Sequence, residues 1–396
     1  EISECLVGSE MCIRDRPWTG GSLFLETSAQ RMDLFSEHKY SWQTSPIMIG
    51  YRQSLFGYNS LKWDKRIEPV RYQEAKKNYV ETLELVSANA INKFFALATA
   101  QSNYDIASFN YANADTLYRY AQGRYNIGTI TENEMLQLEL NRLTEETNRM
   151  NARIEMDNCM QELRSYLGIQ EEREIRVRVS SRIPNFSINL NEALALAYEN
   201  SPDIQTMKRR KLESESAVAR ARANAGLKAD IYLRFGLTQT ADKLPEAYRN
   251  LLDQQYVSLS ISLPILDWGR GKGQVRVARS NRDLVYTQVE QSRTDFELNV
   301  RKLVKQFNLQ TQRVRIAART DETAQRRNEV ARKLYILGKS TILDLNASIS
   351  EKDSARRNYV SALYNYWSLY YTLRSMTLYD FESNKLLTED YNLLIE

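Results

Sequence analysis

A chain of 396 residues is long enough for two or three ordinary domains or for one elongated one, but 14 Gly and 7 Pro beside 26% charged residues leave few breaks and favour long helices. With 54 basic against 50 acidic residues and no long single-sign run, the net charge of +4 leaves no nucleic-acid footprint. One His (His38) and three Cys exclude His- or Cys-based metal sites and Cys–His catalysis, and the lack of any run of about 18 apolar residues leaves strands as the only route into a membrane.

Residues 1–16, EISECLVGSEMCIRDR, are neither a charged-then-apolar leader nor periodic. They resemble the translated read-through of a sequencing adapter and are expected to be an artefact foreign to the natural protein, whose true start is then missing. Strands follow at about 22–28 and 46–54, marked by Leu23 and Leu25, then by Ile47, Ile49 and Tyr51. From 60 to 126 Gly and Pro are almost absent beyond the first turns, and Leu83, Ala90, Leu97, Tyr104, Tyr111 and Tyr118 recur every seven residues. That period predicts one helix ~100 Å long, supercoiled against its neighbours.

In IGTITENE (127–134), Gly128 suits the left-handed position after a helix, and Thr131-x-x-Glu134 suits a capping box opening the next helix at about 131–167. Cys159 reads as a small residue on that helix's face. The connection 169–190 holds REIRVRVSS (173–181), where Ile175, Val177 and Val179 alternate with basic residues as in a short strand. A helix at about 191–226 is expected to start at Asn191 as N-cap and restart at Ser201-Pro202.

Two cleaner strands come next. At 230–238, Ile231, Leu233, Phe235 and Leu237 oppose Tyr232, Arg234 and Gly236; at 256–263, Val257, Leu259, Ile261 and Leu263 oppose three serines. The glycines of WGRGKGQV (268–275) lack the phosphate-loop pattern and follow a Pro264/Asp267 strand-to-helix corner. A second long helix is predicted at 270–336, with Phe296, Val300, Leu303 and Phe307 in 4-3-4 steps, then the turn LGKSTILD (337–344), a helix at 341–377 and a tail at 381–396.

Tyr335, Gly338, Thr341 and Asp344 each stand 210 residues beyond Tyr125, Gly128, Thr131 and Glu134. The same shift lays PILDWG on SLFGYN, so two halves of strand, strand, long helix and second helix are expected, 17–168 and 191–380, the first lacking its leading helix. Alternation alone fits either a sheet on a soluble core or a barrel wall with lipid outside.

NEALALAYENSPDI (191–204), SLPILDWGRGKGQV (262–275), ARKLYILGKSTILDLNASISEKDSARRNYVSALYNYW (331–367) and the weaker copy YRYAQGRYNIGTITENEMLQLELNR (118–142) resemble a TolC-type outer-membrane efflux protein over essentially 17–380. The resemblance implies a mainly α chain with a small antiparallel β part. It implies a homotrimer whose twelve-stranded barrel in outer-membrane lipid continues as a long periplasmic α-helical barrel. The implied function is a passive conduit for drugs, toxic compounds or exported proteins, served by a periplasmic adaptor and an inner-membrane RND or ABC pump, with no enzyme activity and no catalytic residue, cofactor, metal or nucleic acid. Ile231, Leu233, Phe235, Leu237, Val257, Leu259, Ile261 and Leu263 would face lipid.

By the same resemblance Asp344 matches a gate acid and Glu134 is its counterpart, while the family's second gate acid falls at Ala347 and its latching base at Ser340. Adaptor docking would fall on Tyr125, Gly128, Thr129, Thr131, Tyr335, Gly338, Lys339 and Thr341. Each also has a plainer reading: the acids as first-turn caps favoured by the helix dipole, the Tyr as interhelical packing and the Gly as helix stops. The alternative for the whole chain is a soluble coiled-coil scaffold.

Overall fold

The computed structural model describes residues 7–15, 19–34, 39–171, 174–180, 183–263, 266–337 and 339–387. Two units make up the chain, Glu1–Glu74 with Gln205–Arg293 and Ala75–Ile204 with Thr294–Glu396.

The first unit holds an antiparallel sheet of β1 (Val7–Asp15), β2 (Ser22–Leu34), β3 (Lys39–Ser54), β4 (Lys228–Ala241) and β5 (Leu252–Ser262), in that order, so β1 and β5 are its edges. β1 is a strand where no alternation was legible. Backbone hydrogen bonds to β2 form it, and these need no side-chain pattern. β2 and β3 run past the predicted 22–28 and 46–54 because register shifts at Glu26/Ser28 and Thr44/Ile47 reset which side chains face which way.

The register gathers the apolar side chains into rows. Leu25, Ile49 and Phe235 form one row, and Leu23, Tyr51, Leu233 and Val257 the next; Ile231 pairs with Leu259. Val257, Leu259, Ile261 and Leu263 are 60–69% exposed, and Leu23, Leu25, Ile47, Ile49 and Phe235 are exposed with them, whereas Ile231, Leu233 and Leu237 are half-buried. The opposite face mixes Arg52, Tyr232, Arg234 and Ser258 with buried Phe24 and Met48. Gly50 is required there, since a Cβ would stand 2.0 Å from the Phe24 ring.

Two long helices start in this unit: α1 (Ser60–Asn126) and, numbered in chain order after α2 (Glu132–Leu167), α3 (Leu190–Asn200) and α4 (Pro202–Ala225), α5 (Arg270–Ile336). α6 (Ile342–Thr377) and a small hairpin of β6 (Tyr379–Asp380) and β7 (Lys385–Leu386) complete the chain. α1 and α5 are each 67 residues long, and α2 and α6 each 36. Within the first unit Arg209 of α4 holds Glu74 of α1 at 2.6 Å, which keeps the Glu74 carboxyl below its ordinary range.

In the second unit a seven-residue seam organises the helices. Ala100, Ala107, Ala114 and Ala121 are buried along α1, so a neighbour can approach closely. Tyr104, Tyr111 and Tyr118 of α1 lie beneath the guanidinium groups of Arg153, Arg149 and Arg142 of α2, at 5.6, 4.1 and 5.6 Å, a cation–π ladder joining the two helices. On α5 the seven-residue row of Val300, Phe307, Val314, Asp321 and Asn328 is buried, and Phe296 and Gln310 are buried beside it. Val304, not Leu303, supplies the additional fully buried contact, because at 3.6 residues per turn both positions approach the seam and 304 lies deeper. Phe307 is fully buried against the rings of Phe186, Tyr366 and Tyr370.

Two sequence expectations are corrected in this unit. Residues 174–180 form no strand and join no sheet. The Gln101 side-chain amide takes the place of a neighbouring strand, donating to the Ile175 carbonyl at 3.0 Å and accepting from the Val177 N–H at 3.2 Å, while Ile175, Val177 and Cys159 pack on Leu97, Ala100, Met156 and Leu163. The N-cap of α3 is Asn189, not Asn191, since its Oδ1 accepts the Asn191 N–H at 2.9 Å. The helix then stops at Ser201, as expected, and restarts at Pro202. Among the described residues no helix is long and apolar enough to cross a membrane.

Phe307→Ala should lower the stability of the helical part by about 3–5 kcal/mol through lost burial and an unfilled cavity; a urea titration followed by far-UV circular dichroism measures it, and a shift below 1 kcal/mol would mean the aromatic cluster relaxes to fill the space.

Candidate functional site at the helical turns

The turn between α1 and α2 reverses the chain in four residues, Ile127–Ile130, plus the cap Thr131. Gly128 sits at φ 72, where a side chain would be strained, and its N–H donates to the Tyr125 carbonyl at 2.9 Å while Thr129 N–H donates to Arg124 at 2.9 Å. These bonds close the last turn of α1. Thr131 then opens α2: its hydroxyl accepts the Glu134 N–H at 3.3 Å, and the Glu134 carboxylate accepts the Thr131 N–H at 2.9 Å.

The turn between α5 and α6 uses the same bonds. Lys339 N–H donates to the Leu334 carbonyl at 2.9 Å, the Thr341 hydroxyl accepts the Asp344 N–H at 3.2 Å, and the Asp344 carboxylate accepts from the Thr341 N–H at 3.4 Å and from its hydroxyl at 2.7 Å. Gly338 lies outside the described residues. Thr131 and Thr341 share one backbone conformation, φ −82 and ψ 158 against φ −85 and ψ 158.

The two turns meet in part. Thr129 and Glu134 of the first and Tyr335 and Thr341 of the second line one groove of about 540 Å³, together with Arg124 and Asn346. Tyr335 is half-buried and also lines a smaller space of about 170 Å³ with Tyr120, Asn328 and Leu345. Tyr125, Gly128, Lys339 and Asp344 stand outside both and are exposed, as is Ala347.

The Thr341 hydroxyl first, then the Thr341 N–H, the Ser340 hydroxyl and the charge of Arg327 hold the Asp344 carboxyl below its ordinary range. A carboxylate engaged this way is a first-turn cap with its charge facing solvent.

Sequence reasoning overlooked the polar stretch of the seam next to these turns. Asp321 and Asn328, each 7 residues further along the buried row of α5, bond to Arg356 at 3.1 Å and to the Ser348 hydroxyl at 3.1 Å on α6. Asp353 of α6 accepts from the Asn110 amide of α1 at 2.6 Å, and Lys352 beside it stands 4.5 Å from the Phe109 ring. The seven-residue step from Phe307 through Val314 was a usable signal for Asp321; a lone acid such as Asp353 reads as a surface charge and offers none.

Residues 193–377 match the model of the family described as outer membrane efflux protein. No curated protein matches the chain. Among solved structures, the outer membrane channel CmeC of Campylobacter jejuni is similar with a TM-score of 0.72 at 15% identity, over 100% of this chain and 80% of that one. The open state of the MtrE outer membrane channel of Neisseria gonorrhoeae gives 0.68 at 13% identity, over 98% and 82%. The outer membrane protein VceC of Vibrio cholerae gives 0.67 at 14%, over 95% and 87%. At such identities the likeness establishes the fold.

Thr341→Ala should cost about 0.5–2 kcal/mol by removing the cap. Because the folded Asp344 carboxyl titrates below its ordinary value of 3.8, its contribution is complete above that pH and is lost as pH falls through the lower folded value. Hydrogen exchange of the segment 339–346, corrected for intrinsic rates, should show this acid-dependent opening in the parent and lose it in Asp344→Asn.

Proposed function

We propose that this chain, a member of the outer membrane efflux protein family through its residues 193–377, is the passive outer-membrane channel of a tripartite efflux or type I secretion system. It conducts drugs, toxic compounds or exported proteins from an inner-membrane pump across the periplasm and outer membrane, with its helical part in the periplasm. The observation that carries this reading is the sheet's exposed apolar face, attached to a fold shared with outer membrane channels over nearly the whole chain. A continuous apolar face on an antiparallel sheet belongs against lipid, and Ile231, Leu233, Phe235, Leu237, Val257, Leu259, Ile261 and Leu263 take that role.

Lipid also demands closure. An open sheet leaves edge N–H and C=O groups unpaired, so copies of the chain must complete each other's sheets. A homotrimer in which β2–β5 of each copy build a twelve-stranded barrel meets that demand, and β1 then occupies the edge of β2 that β5 of the next copy would take. The helices support the same head-to-tail ring. Leu136, Leu140, Leu143, Met150 and Ile154 form an exposed apolar stripe at 3-, 4- and 7-residue steps on α2, and Leu309, Ile316 and Val330 form another at multiples of seven on α5. α2 carries 8 acidic and 4 basic residues, α5 carries 7 acidic and 16 basic ones, so the two stripes are matched in charge as well as period.

The equal lengths of α1 and α5 and of α2 and α6 support a duplicated origin, with repeats at 17–168 and 191–380 joined by the 169–190 connection. In the trimer Asp344 faces the pore as the gate acid, with Glu134 beside the neighbouring turn. The absence of an acid at Ala347 and of a base at Ser340 makes this a weaker constriction than the family's usual one. The periplasmic adaptor docks on Tyr125, Gly128, Thr129, Thr131, Tyr335, Gly338, Lys339 and Thr341, and an RND or ABC pump lies beyond it. The chain is no enzyme in this reading.

Expressed in a bacterium with an outer-membrane leader, the chain should appear as a detergent-stable trimer that conducts ions in a planar bilayer; a monomer in the soluble fraction would instead make it a coiled-coil scaffold. In the same recordings Asp344→Asn should weaken block by multivalent cations by about tenfold, equivalent to one charge interaction of ~1.4 kcal/mol; unchanged block removes Asp344 from the gate.

A further inference from the structure

The two corners where strands hand over to long helices carry a pattern that conduction itself does not need. Past β5, Leu266 is 81% exposed and Trp268 is 96% exposed, the latter held at φ 52. Arg270, Lys272, Arg276 and Arg279 follow at once in the first turns of α5; Lys272 acts on the Asp267 carboxylate, and the three arginines have no ion-pair partner among the described residues. Past β3 the order repeats: Leu55 and Phe56 are exposed, then Lys62 and Lys65 open α1, with Arg66 stacked 5.5 Å over Trp63.

These cations stand against local electrostatics. A helix N-terminus carries about half a positive charge and favours acids. α2 and α6 obey, with Glu132, Glu134 and Asp344 in their first turns, whereas α1 and α5 have no acid there. The backbone end of α5 is already satisfied, because the Asp267 carboxylate accepts the Gly269 N–H at 3.0 Å and the Gly271 N–H at 2.8 Å. Asp267 meets part of the Lys272 charge, but among the described residues Arg270, Arg276, Lys62 and Lys65 have no ion-pair partner and are open to an external anion. That anion must tolerate a fully exposed indole and leucine beside it, and the apolar face of β5 leads straight into both.

We propose that these corners are a binding surface for anionic glycerophospholipids: Trp268 and Phe56 lie at headgroup depth, and Arg270, Lys272 and Arg276, with Lys62 and Lys65, engage the lipid phosphates. The proposal rests on the outer-membrane reading and adds a lipid preference to it. Aromatic side chains favour the interface because the ring is apolar while the indole N–H remains wet. Each cation near an anionic surface is worth about fivefold in affinity, and an amphiphile satisfies both halves of the patch where free phosphate satisfies one.

The test reconstitutes the full chain into vesicles containing brominated phosphatidylglycerol or brominated phosphatidylcholine and reads tryptophan quenching. The difference between the parent and Trp268→Phe isolates Trp268 from the other Trp of the 5 in the chain. Phosphatidylglycerol should quench Trp268 at a mole fraction at least about fivefold lower than phosphatidylcholine. That preference should vanish in Arg270→Gln/Lys272→Gln/Arg276→Gln and survive in Arg270→Lys/Arg276→Lys. Equal quenching by the two lipids in the parent, or an undiminished preference in the triple Gln variant, overturns the proposal. Conductance across the same vesicles separates the two readings. A conducting channel without lipid preference defeats only this surface, and a chain that never enters the bilayer defeats both.

Discussion

A helix of 67 residues gains no tertiary stability from its own hydrogen bonds, so α1 and α5 depend on side chains that recur every seven residues. The second unit is built on that recurrence. Ala100, Ala107, Ala114 and Ala121 let a partner helix approach α1; the tyrosines one step away, at 104, 111 and 118, receive three arginines of α2 on their faces. Small residues set the distance and aromatic residues set the register. Removing either would leave long helices free to slide, which backbone hydrogen bonds alone do not prevent.

The seam changes chemistry along α5. Val300, Phe307 and Val314 bury hydrocarbon, while Asp321 and Asn328 bury polar groups that α6 satisfies through Arg356 and Ser348. Apolar burial is indifferent to partner geometry; a buried carboxylate is stable only while its partner stays in place. The helices nearest the turns are therefore held by directional contacts, which break together when two helices shift, and the part around Phe307 is held by packing that tolerates small displacements.

The sheet poses the complementary constraint. Its register places Leu25, Ile49 and Phe235 in one row and leaves Val257, Leu259 and Ile261 more than half exposed, so the same pairing that satisfies the backbone creates a face that water disfavours. Exposed apolar rows, unpaired edges and the stripes on α2 and α5 all ask for the same remedy, a neighbour and a lipid phase. In the proposed channel the basic corners beyond β3 and β5 lie where that phase ends.

How much of this was legible depended on whether the signal was local. Helix limits at 60–126 and 270–336, and the capping boxes at Thr131 and Thr341, were readable because periodicity and caps are written within a few residues of where they act. Val257, Leu259, Ile261 and Leu263 were readable as alternating, though alternation alone left open whether they face lipid or a core. β1 was invisible, since backbone pairing alone defines it, and β2 and β3 were cut short by bulges that invert the alternation. The strand expected at 173–181 failed because alternation describes side chains and says nothing of a partner; Gln101, some seventy residues away, supplied the hydrogen bonds instead. Asp353 looks like any surface acid until the helices that bury it are in place. The sequence by itself determined the long helices, their lengths and their reversal, because each rests on interactions between near neighbours. Only the tertiary structure decided which charges are buried, which apolar residues remain bare and which segments pair, because burial and pairing are properties of residues far apart in the chain.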